Sequence, residues 1–274
     1  MALRRFWNAD GTGEAEYVLK RDPKHAGHFS LEQQFQYRDP DRGTFTVPKA
    51  GVDWRTNLAS VPAPAAWLVP KDGTHTPAAL VHDALVLRPG EPKAHEGPDV
   101  TREEADLIFR EAMQHLSVPF LRRWMMWAAV MLATLCTPGE GRRFWRWRLT
   151  IVPITIALLV LGFVSVLDVF DVPPVELPWM GDAGVWEEIA GGFAVAVGAL
   201  VATVVVFASR WQVGLVAGLV LIPFAFPLVV SAVAYAIYQA LEVIVYWVLK
   251  RLAPPTPEEP VPAPNVLRRM TSAE

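Results

Sequence analysis

The arrangement of apolar and polar residues divides this chain into two parts. From about residue 149 to residue 249 the sequence is almost uninterruptedly apolar, whereas the preceding part mixes polar and apolar residues as globular domains do. A helix needs about 20 apolar residues to cross a bilayer. The segments that reach or exceed this length are 149–167, 189–209 and 211–249. The pattern therefore predicts a soluble domain followed by membrane-spanning helices.

The last apolar segment is too long for one crossing. As a straight helix, residues 211–249 would extend ~58 Å, against a bilayer core of about 30 Å. Because proline interrupts the helical hydrogen-bond ladder, we predict a turn near Pro223–Pro227 and therefore about four spans. The alternative is three spans with a long, kinked last helix. Small residues four apart, such as Gly214 and Gly218, favour close helix packing or a homo-oligomer.

Charged residues predict the orientation of these helices. Arg142, Arg143, Arg146 and Arg148 precede the first span, where they are expected to contact anionic headgroups at the membrane surface. The loop at 168–188 holds six acidic residues and no Lys or Arg. Since cytoplasmic loops carry the excess of Lys and Arg, we expect a multi-pass inner-membrane protein whose N-terminal domain is cytoplasmic.

We expect three regions: a soluble domain at 1–140, a transmembrane region at 141–251 and a disordered, Pro-rich tail at 252–274. The composition agrees, because 52% of the residues are hydrophobic and the mean hydropathy is +0.25, between the values typical of soluble and of purely membrane proteins. A net charge of −3 gives no reason to expect a nucleic-acid partner. The single cysteine, Cys136, excludes an intrachain disulfide.

Within the soluble domain, alternation at residues 29–37 and 44–48 predicts two strands that form a short β-hairpin. Apolar residues then recur with the helical period. The predicted helices lie at 76–87, 101–116 and 117–136. The fold class is therefore α+β, with a small, mostly helical N-terminal domain followed by an α-helical transmembrane bundle.

Two residues on neighbouring helices are candidate catalytic residues. If the first two helices pack antiparallel, Asp106 can contact His82, fix its tautomer and leave the other ring nitrogen free as a base. The same pair could instead only tie the two helices together. Asp83 lies about 100° around its helix from His82. It could offer an oxygen to a hard cation, with carbonyl groups of the loop at 54–62 completing the shell.

Three separated motifs resemble a family of uncharacterised bacterial and phage proteins, domain of unknown function 1353. The motifs are WRTNLASVP at 54–62, HDAL at 82–85 and REEADLIF at 102–109. The resemblance covers about residues 29–135. Because the family has no established activity, the resemblance implies a domain and a site but no reaction.

The same motifs resemble, more loosely, those of bacterial secreted phospholipases A2. In that family a helical histidine activates water, the next aspartate binds Ca²⁺ with help from a loop, and a later aspartate orients the histidine. The resemblance assigns these roles to His82, Asp83 and Asp106. Asn57 replaces the aspartate of the loop and Val86 replaces a tyrosine, which weakens the expected Ca²⁺ site at Asp83 and Asn57.

We therefore expect a membrane-anchored protein with a phage-type domain in a binding or structural role. One alternative is a membrane-associated hydrolase of phospholipid-like esters that uses the histidine and its aspartates, with Ca²⁺ as a candidate cofactor. Another is a holin-like protein that acts in lysis. The expected partner is the lipid bilayer with its anionic headgroups, together with a second copy of the chain if the helices associate, and no nucleic acid.

Overall fold

The structure is a computed structural model that describes residues 5–23, 27–58, 61, 63–86, 90–137, 142–181 and 184–252, with the backbone alone at 142–144 and 252. The described chain is α+β, with short strands first and helices after them. The strands are β1 (Phe6–Asn8), β2 (Leu19–Arg21), β3 (Phe29–Leu31), β4 (Phe35–Asp39), β5 (Gly43–Val47) and β6 (Arg55–Thr56). The helices are α1 (Thr76–Leu85), α2 (Arg102–His115), α3 (Phe120–Leu135), α4 (Arg142–Val169), α5 (Val185–Phe207) and α6 (Trp211–Leu252).

The strands form two three-stranded antiparallel sheets, ordered β1-β4-β5 and β2-β3-β6. The predicted hairpin is confirmed by β4 and β5, whose register pairs Phe35 with Val47 and Tyr37 with Phe45. The predicted strand at 29–37 is wrong as one element. The chain leaves one sheet after Leu31 and enters the other at Phe35, because an irregular segment separates the two strands.

Helix α2 begins where its capping box predicts. The Glu104 amide donates to Thr101 Oγ1 at 3.2 Å, and the Thr101 amide donates to Glu104 Oε2 at 2.7 Å. These bonds satisfy amides that have no partner inside the helix. Helices α1 and α2 share one apolar core with β4 and β5. Fully buried members of this core are Phe35, Tyr37, Phe45, Val47, Leu80, Val81, Ile108 and Met113.

Two helical stretches in the described part of the chain, Trp145–Val169 and Val185–Arg251, are long and apolar enough to cross a membrane. The second stretch contains α5, a short turn at Ala208–Arg210 and α6. Helices α5 and α6 pack closely through the predicted small residues, since Gly214 and Gly218 of α6 face Thr203 and Leu200 of α5. The Thr203 hydroxyl also donates to the Gly214 carbonyl oxygen at 3.2 Å.

The predicted turn near Pro223–Pro227 is wrong. Both prolines lie inside α6, which continues from Trp211 to Leu252. A proline removes one backbone donor, and the packing of neighbouring apolar helices can keep the rest of the helix intact. Helix α4 packs against this segment, where the rings of Phe163 and Phe226 stack with centroids 5.5 Å apart. The structure therefore does not have the turn on which the four-span prediction depended.

The globular part of the chain packs directly against the apolar helices. Helix α3 contributes Trp127, Met131 and Leu135 to a buried cluster with Trp147 of α4 and Phe207 of α5. A bidentate ion pair reinforces this contact, because Arg210 Nη2 lies 2.9 and 2.8 Å from the two carboxylate oxygens of Glu103 on α2. The turn between α5 and α6 is thus attached to the domain that carries the candidate site.

Candidate functional site

The structure brings His82 of α1 and Asp106 of α2 into direct contact. His82 Nε2 lies 2.7 Å from Asp106 Oδ1, and the Asp106 side chain is fully buried while that of His82 retains 13% exposure. The His82 ring also packs on Phe109, with centroids 5.0 Å apart. Asp106 and Phe109 are three residues apart on α2 and therefore share one helix face. Asp106 therefore contacts a ring nitrogen of His82, while Phe109 packs against the ring itself.

This contact determines which nitrogen of His82 carries the proton. With Asp106 as a carboxylate, which only accepts hydrogen bonds, the contact makes Nε2–H the donor and leaves Nδ1 with a lone pair. Asp106 Oδ2 is buried and has no hydrogen-bond partner among the described residues. The imidazole is therefore the hydrogen-bond partner that the structure gives this carboxylate. A histidine that acts as a general base needs a neighbouring group of this kind to orient it.

Asp83 is held by the loop that precedes α1. The Thr56 hydroxyl donates to Asp83 Oδ2 at 2.5 Å, and the Leu58 amide donates to Thr56 Oγ1 at 2.9 Å. Leu58 has a positive φ of 59°, a conformation that is uncommon for a non-glycine residue. Asp83 Oδ1 lies 3.9 Å from His82 Nδ1, beyond hydrogen-bond distance. The loop and α1 are thus tied together beside the histidine.

A cavity of about 410 Å³ lies next to this pair. Its volume falls in the range of about 300–1,000 Å³ that is typical of small-molecule sites. His82, Asp83 and Phe109 line it on one side. The rest of the lining is largely apolar and comes from the loop before α1, from α3 and from α6, with Leu68, Met126, Ala129, Val216, Ala217 and Val220 among the members.

Arg102 also lines this cavity, and the predictions from sequence did not include it. It lies one turn before Asp106 on α2, so the two residues share a helix face. Its Nε is buried and has no hydrogen-bond partner among the described residues. The sequence indicated this position through the helical spacing of Arg102, Asp106 and Phe109 at i, i+4 and i+7, which places the three residues on one helix face.

The expected Ca²⁺ site has limited support from the donor atoms. Within the described ranges, no group of three or more His, Cys, Asp or Glu side chains is placed to hold a metal ion. Ca²⁺ takes six to eight oxygen ligands. One oxygen of Asp83 already accepts from Thr56, and Asp106, the other carboxylate beside His82, is fully buried against the imidazole. The donor set does not fit a dedicated Ca²⁺ site, and the assignment of Asp83 and Asn57 to a metal stays a prediction.

The predicted membrane-surface arginines lie at the start of α4. Arg146 and Arg148 are exposed there, and the Arg146 guanidinium lies 5.3 Å from the centre of the Trp147 ring. The side chains of Arg142 and Arg143 lie outside the described residues, as does the predicted tail beyond residue 252.

Comparisons with known proteins identify one region of similarity. Residues 29–130 match a family described as "Protein of unknown function (DUF1353)". This match includes His82, Asp83, Arg102 and Asp106, and supports a domain of unknown function in this part of the chain. No curated protein and no solved structure matches the chain.

Proposed function

We propose that the protein is a membrane-associated hydrolase of carboxylic esters, in which His82 is the general base and Asp106 positions it. The observation that carries this proposal is the buried Asp106 held 2.7 Å from a histidine that lines a cavity of about 410 Å³. A pair that served only to join two helices would not need a cavity beside it. The motif similarity to phospholipases A2, a prediction from sequence, points to the same chemistry.

The proposed reaction needs only the imidazole and water. His82 Nδ1 removes a proton from a water molecule, and the resulting hydroxide adds to the ester carbonyl carbon. When the carbon–oxygen bond to the alcohol breaks, the imidazolium returns the proton to the departing oxygen, which leaves a carboxylic acid and an alcohol. Asp106 stabilises the imidazolium and keeps the tautomer correct. No step in this scheme depends on a metal ion.

Membrane association is part of the proposal. It is supported by the two long apolar stretches and by exposed Arg146 and Arg148 at the start of α4, which suit anionic headgroups. The ion pair of Arg210 with Glu103 favours a topology with the α5–α6 turn on the same side as the globular domain, and the distribution of Lys and Arg favours the cytoplasm for that side. Continuous α6 favours three spans over four.

A binding or structural role without hydrolysis is the second candidate. It is favoured by the bond from Thr56 to Asp83, which gives that carboxylate a structural task. It is also favoured by Asn57 and Val86, which stand at two positions where phospholipases A2 carry functional groups. In that case the cavity would hold a ligand that the protein does not cleave.

The test uses the full-length protein in mixed micelles, with a phospholipid and a soluble short-chain nitrophenyl ester as substrates, in EDTA and in millimolar Ca²⁺. We expect ester hydrolysis, and we expect His82→Ala to lower kcat by about 10²–10⁴-fold. The matched control is His28→Ala, at a histidine that does not line the cavity. It should keep the wild-type rate.

Asp106→Asn separates positioning from catalysis. It should lower kcat and shift the acidic limb of the pH–rate profile, because the carboxylate no longer stabilises the imidazolium. A purely structural role for Asp106 would leave that limb in place. If neither ester is cleaved under either condition, or if His82→Ala and His28→Ala are equally active, the hydrolase proposal is wrong.

A further inference from the structure

The cavity beside His82 combines a few charged or titratable lining residues with an extensive apolar lining. Among the described residues that line it, those that carry a charge or titrate are His82, Asp83 and Arg102, which lie on α1 and α2. Much of the apolar lining comes from α3 and α6, with Ala129, Val216 and Val220 among its members. A site with this division fits an amphiphile whose polar group lies near α1 and α2 and whose chain lies between α3 and α6.

The origin of the α6 wall indicates where such a ligand would come from. Val216, Val220 and Leu228 line the cavity and belong to the apolar stretch Val185–Arg251 that could cross a membrane. Further along the same helix, Val233, Ile244 and other apolar side chains are about half exposed, as expected of a surface covered by lipid. The α6 part of the cavity lining therefore belongs to the same apolar helix whose further length could lie in lipid.

Arg102 supplies the polar contact that such a ligand needs. Its Nε is buried and has no hydrogen-bond partner among the described residues, and a buried donor without a partner costs free energy. An ester carbonyl oxygen that accepts from the guanidinium would remove this cost, in a cavity that His82 also lines. A free carboxylate fits less well, because the Asp83 carboxylate lines the same cavity.

We infer that the cavity is a binding site for a long-chain acyl ester taken from the bilayer, with Arg102 holding the ester carbonyl and the chain lying between α3 and α6. This inference rests on the proposed function, because that function identifies the polar group of the ligand as a carboxylic ester. It concerns binding, however, and can be tested without any hydrolysis.

The probe is a hexadecanoyl amide with a photoreactive diazirine at the end of its chain, which reproduces the carbonyl group and resists cleavage. Full-length protein in phospholipid nanodiscs is irradiated with the probe, and the labelled residues are identified by mass spectrometry. We expect saturable labelling at 125–134 and 216–221, which excess unlabelled hexadecanoyl amide suppresses. Labelling of the exposed stretch 230–249 should not saturate, because it reports contact with lipid.

Two pairs of variants test the site. Ala217→Phe fills the cavity and should lower saturable labelling by tenfold or more, whereas Ala236→Phe, on the exposed part of α6, should not change it. Arg102→Gln should lower labelling at limiting probe by about tenfold, the effect of losing a hydrogen bond from a charged donor. Arg21→Gln, the same change on exposed β2, is its control.

The outcomes separate this inference from the hydrolase proposal. Saturable labelling without ester hydrolysis would support the acyl site and overturn the proposed activity. Labelling spread evenly over the apolar helices and unchanged by Ala217→Phe would overturn the acyl site, even if His82-dependent hydrolysis of the soluble ester were present. Normal saturable labelling of Arg102→Gln would remove Arg102 from the site.

Discussion

The close approach of α4 and α6 at Gly162 gives a sharp test of how the apolar helices pack. A β-carbon added at Gly162 would lie 2.1 Å from the Ile222 carbonyl oxygen and 2.7 Å from the Ala225 β-carbon. Neither atom belongs to the end of a flexible side chain. Because non-bonded heavy atoms are at their best separation near 3.5–4.0 Å, Gly162→Ala forces the two helices apart by roughly 1 Å.

The magnitude follows from two opposing effects. Overpacking a tight contact costs about 1–3 kcal/mol, and this contact lies at the upper end because Ala225 is fully buried and has no alternative rotamer. The higher helix propensity of alanine returns about 1 kcal/mol. We therefore expect a net loss of about 2 kcal/mol, which corresponds to a fall in Tm of about 4–8 °C for a chain of this size.

The assay uses the single cysteine of the chain. Cys136 packs against the buried cluster that α3 forms with α4 and α6, and burial raises the pKa of its thiol, which slows its reaction in the folded state. Detergent-solubilised protein is heated with a dye that fluoresces when it couples to a thiol, so that the midpoint reports the loss of this packing.

Gly198→Ala on α5 is the matched control, because a β-carbon there would meet no atom within 4 Å. It should leave Tm unchanged or raise it by up to about 4 °C. If Gly162→Ala is as stable as Gly198→Ala, then α4 and α6 do not meet at this point. The packing against α4 that accounts for the continuity of α6 past Pro223 would then be contradicted as well.

Three further predictions concern the globular part of the chain. The pair Arg210 and Glu103, 2.8 Å apart, should show a coupling of about 0.5–1 kcal/mol in a double-mutant cycle to alanine, reduced in high salt. Burial lowers the pKa of His75 from 6.5, so the unfolded state binds more protons than the folded state as the pH falls below that value. The free energy of unfolding therefore decreases on acidification by up to about 1.4 kcal/mol per pH unit. His75→Gln should reduce this pH dependence in denaturant unfolding between pH 5 and 7, and an unchanged pH dependence would contradict the lowered pKa of His75. Gly97 has a φ of +124°, and Gly97→Ala places a β-carbon 2.4 Å from a carbonyl oxygen of β5, so it should lower the free energy of unfolding by about 2 kcal/mol or more in denaturant unfolding. Gly51→Ala, at a residue with φ +74° and open space around it, should lower it by less.

The parts of the fold that were predictable are those with local signals. The β4–β5 hairpin shows in the alternation around its turn, and α2 shows in the capping box of Thr101 with Glu104. The contact of His82 with Asp106 was predicted on the condition that α1 and α2 pack antiparallel, and the sequence left open whether the pair is catalytic or only ties the two helices together. The signals of the hairpin and of α2 lie within a few residues of the structure that they predict, whereas the contact of His82 with Asp106 joins residues 24 positions apart.

The parts that were not predictable are strands too short to show an alternating pattern and contacts between residues that lie far apart in the sequence. Strands β1, β2 and β6 contain two or three residues each, fewer than the four that an alternating pattern needs. The path of α6 through Pro223 and Pro227 depends on packing against α4, which the two prolines do not encode. Arg102 could be placed on a helix face, but its role depends on a cavity whose other wall lies more than a hundred residues later in the sequence.

That distance limits what the family similarity can transfer to this chain. The match ends at residue 130, inside α3, so it contains His82, Arg102 and Asp106 but excludes α6. The wall formed by Val216 and Val220 therefore comes from sequence outside the similar region. A protein with the matched domain alone could keep the His–Asp pair while lacking this wall, and its ligand need not be an acyl chain. The His82–Asp106 pair lies within the matched region, whereas the acyl specificity that we infer depends on the contact between that region and the apolar helices.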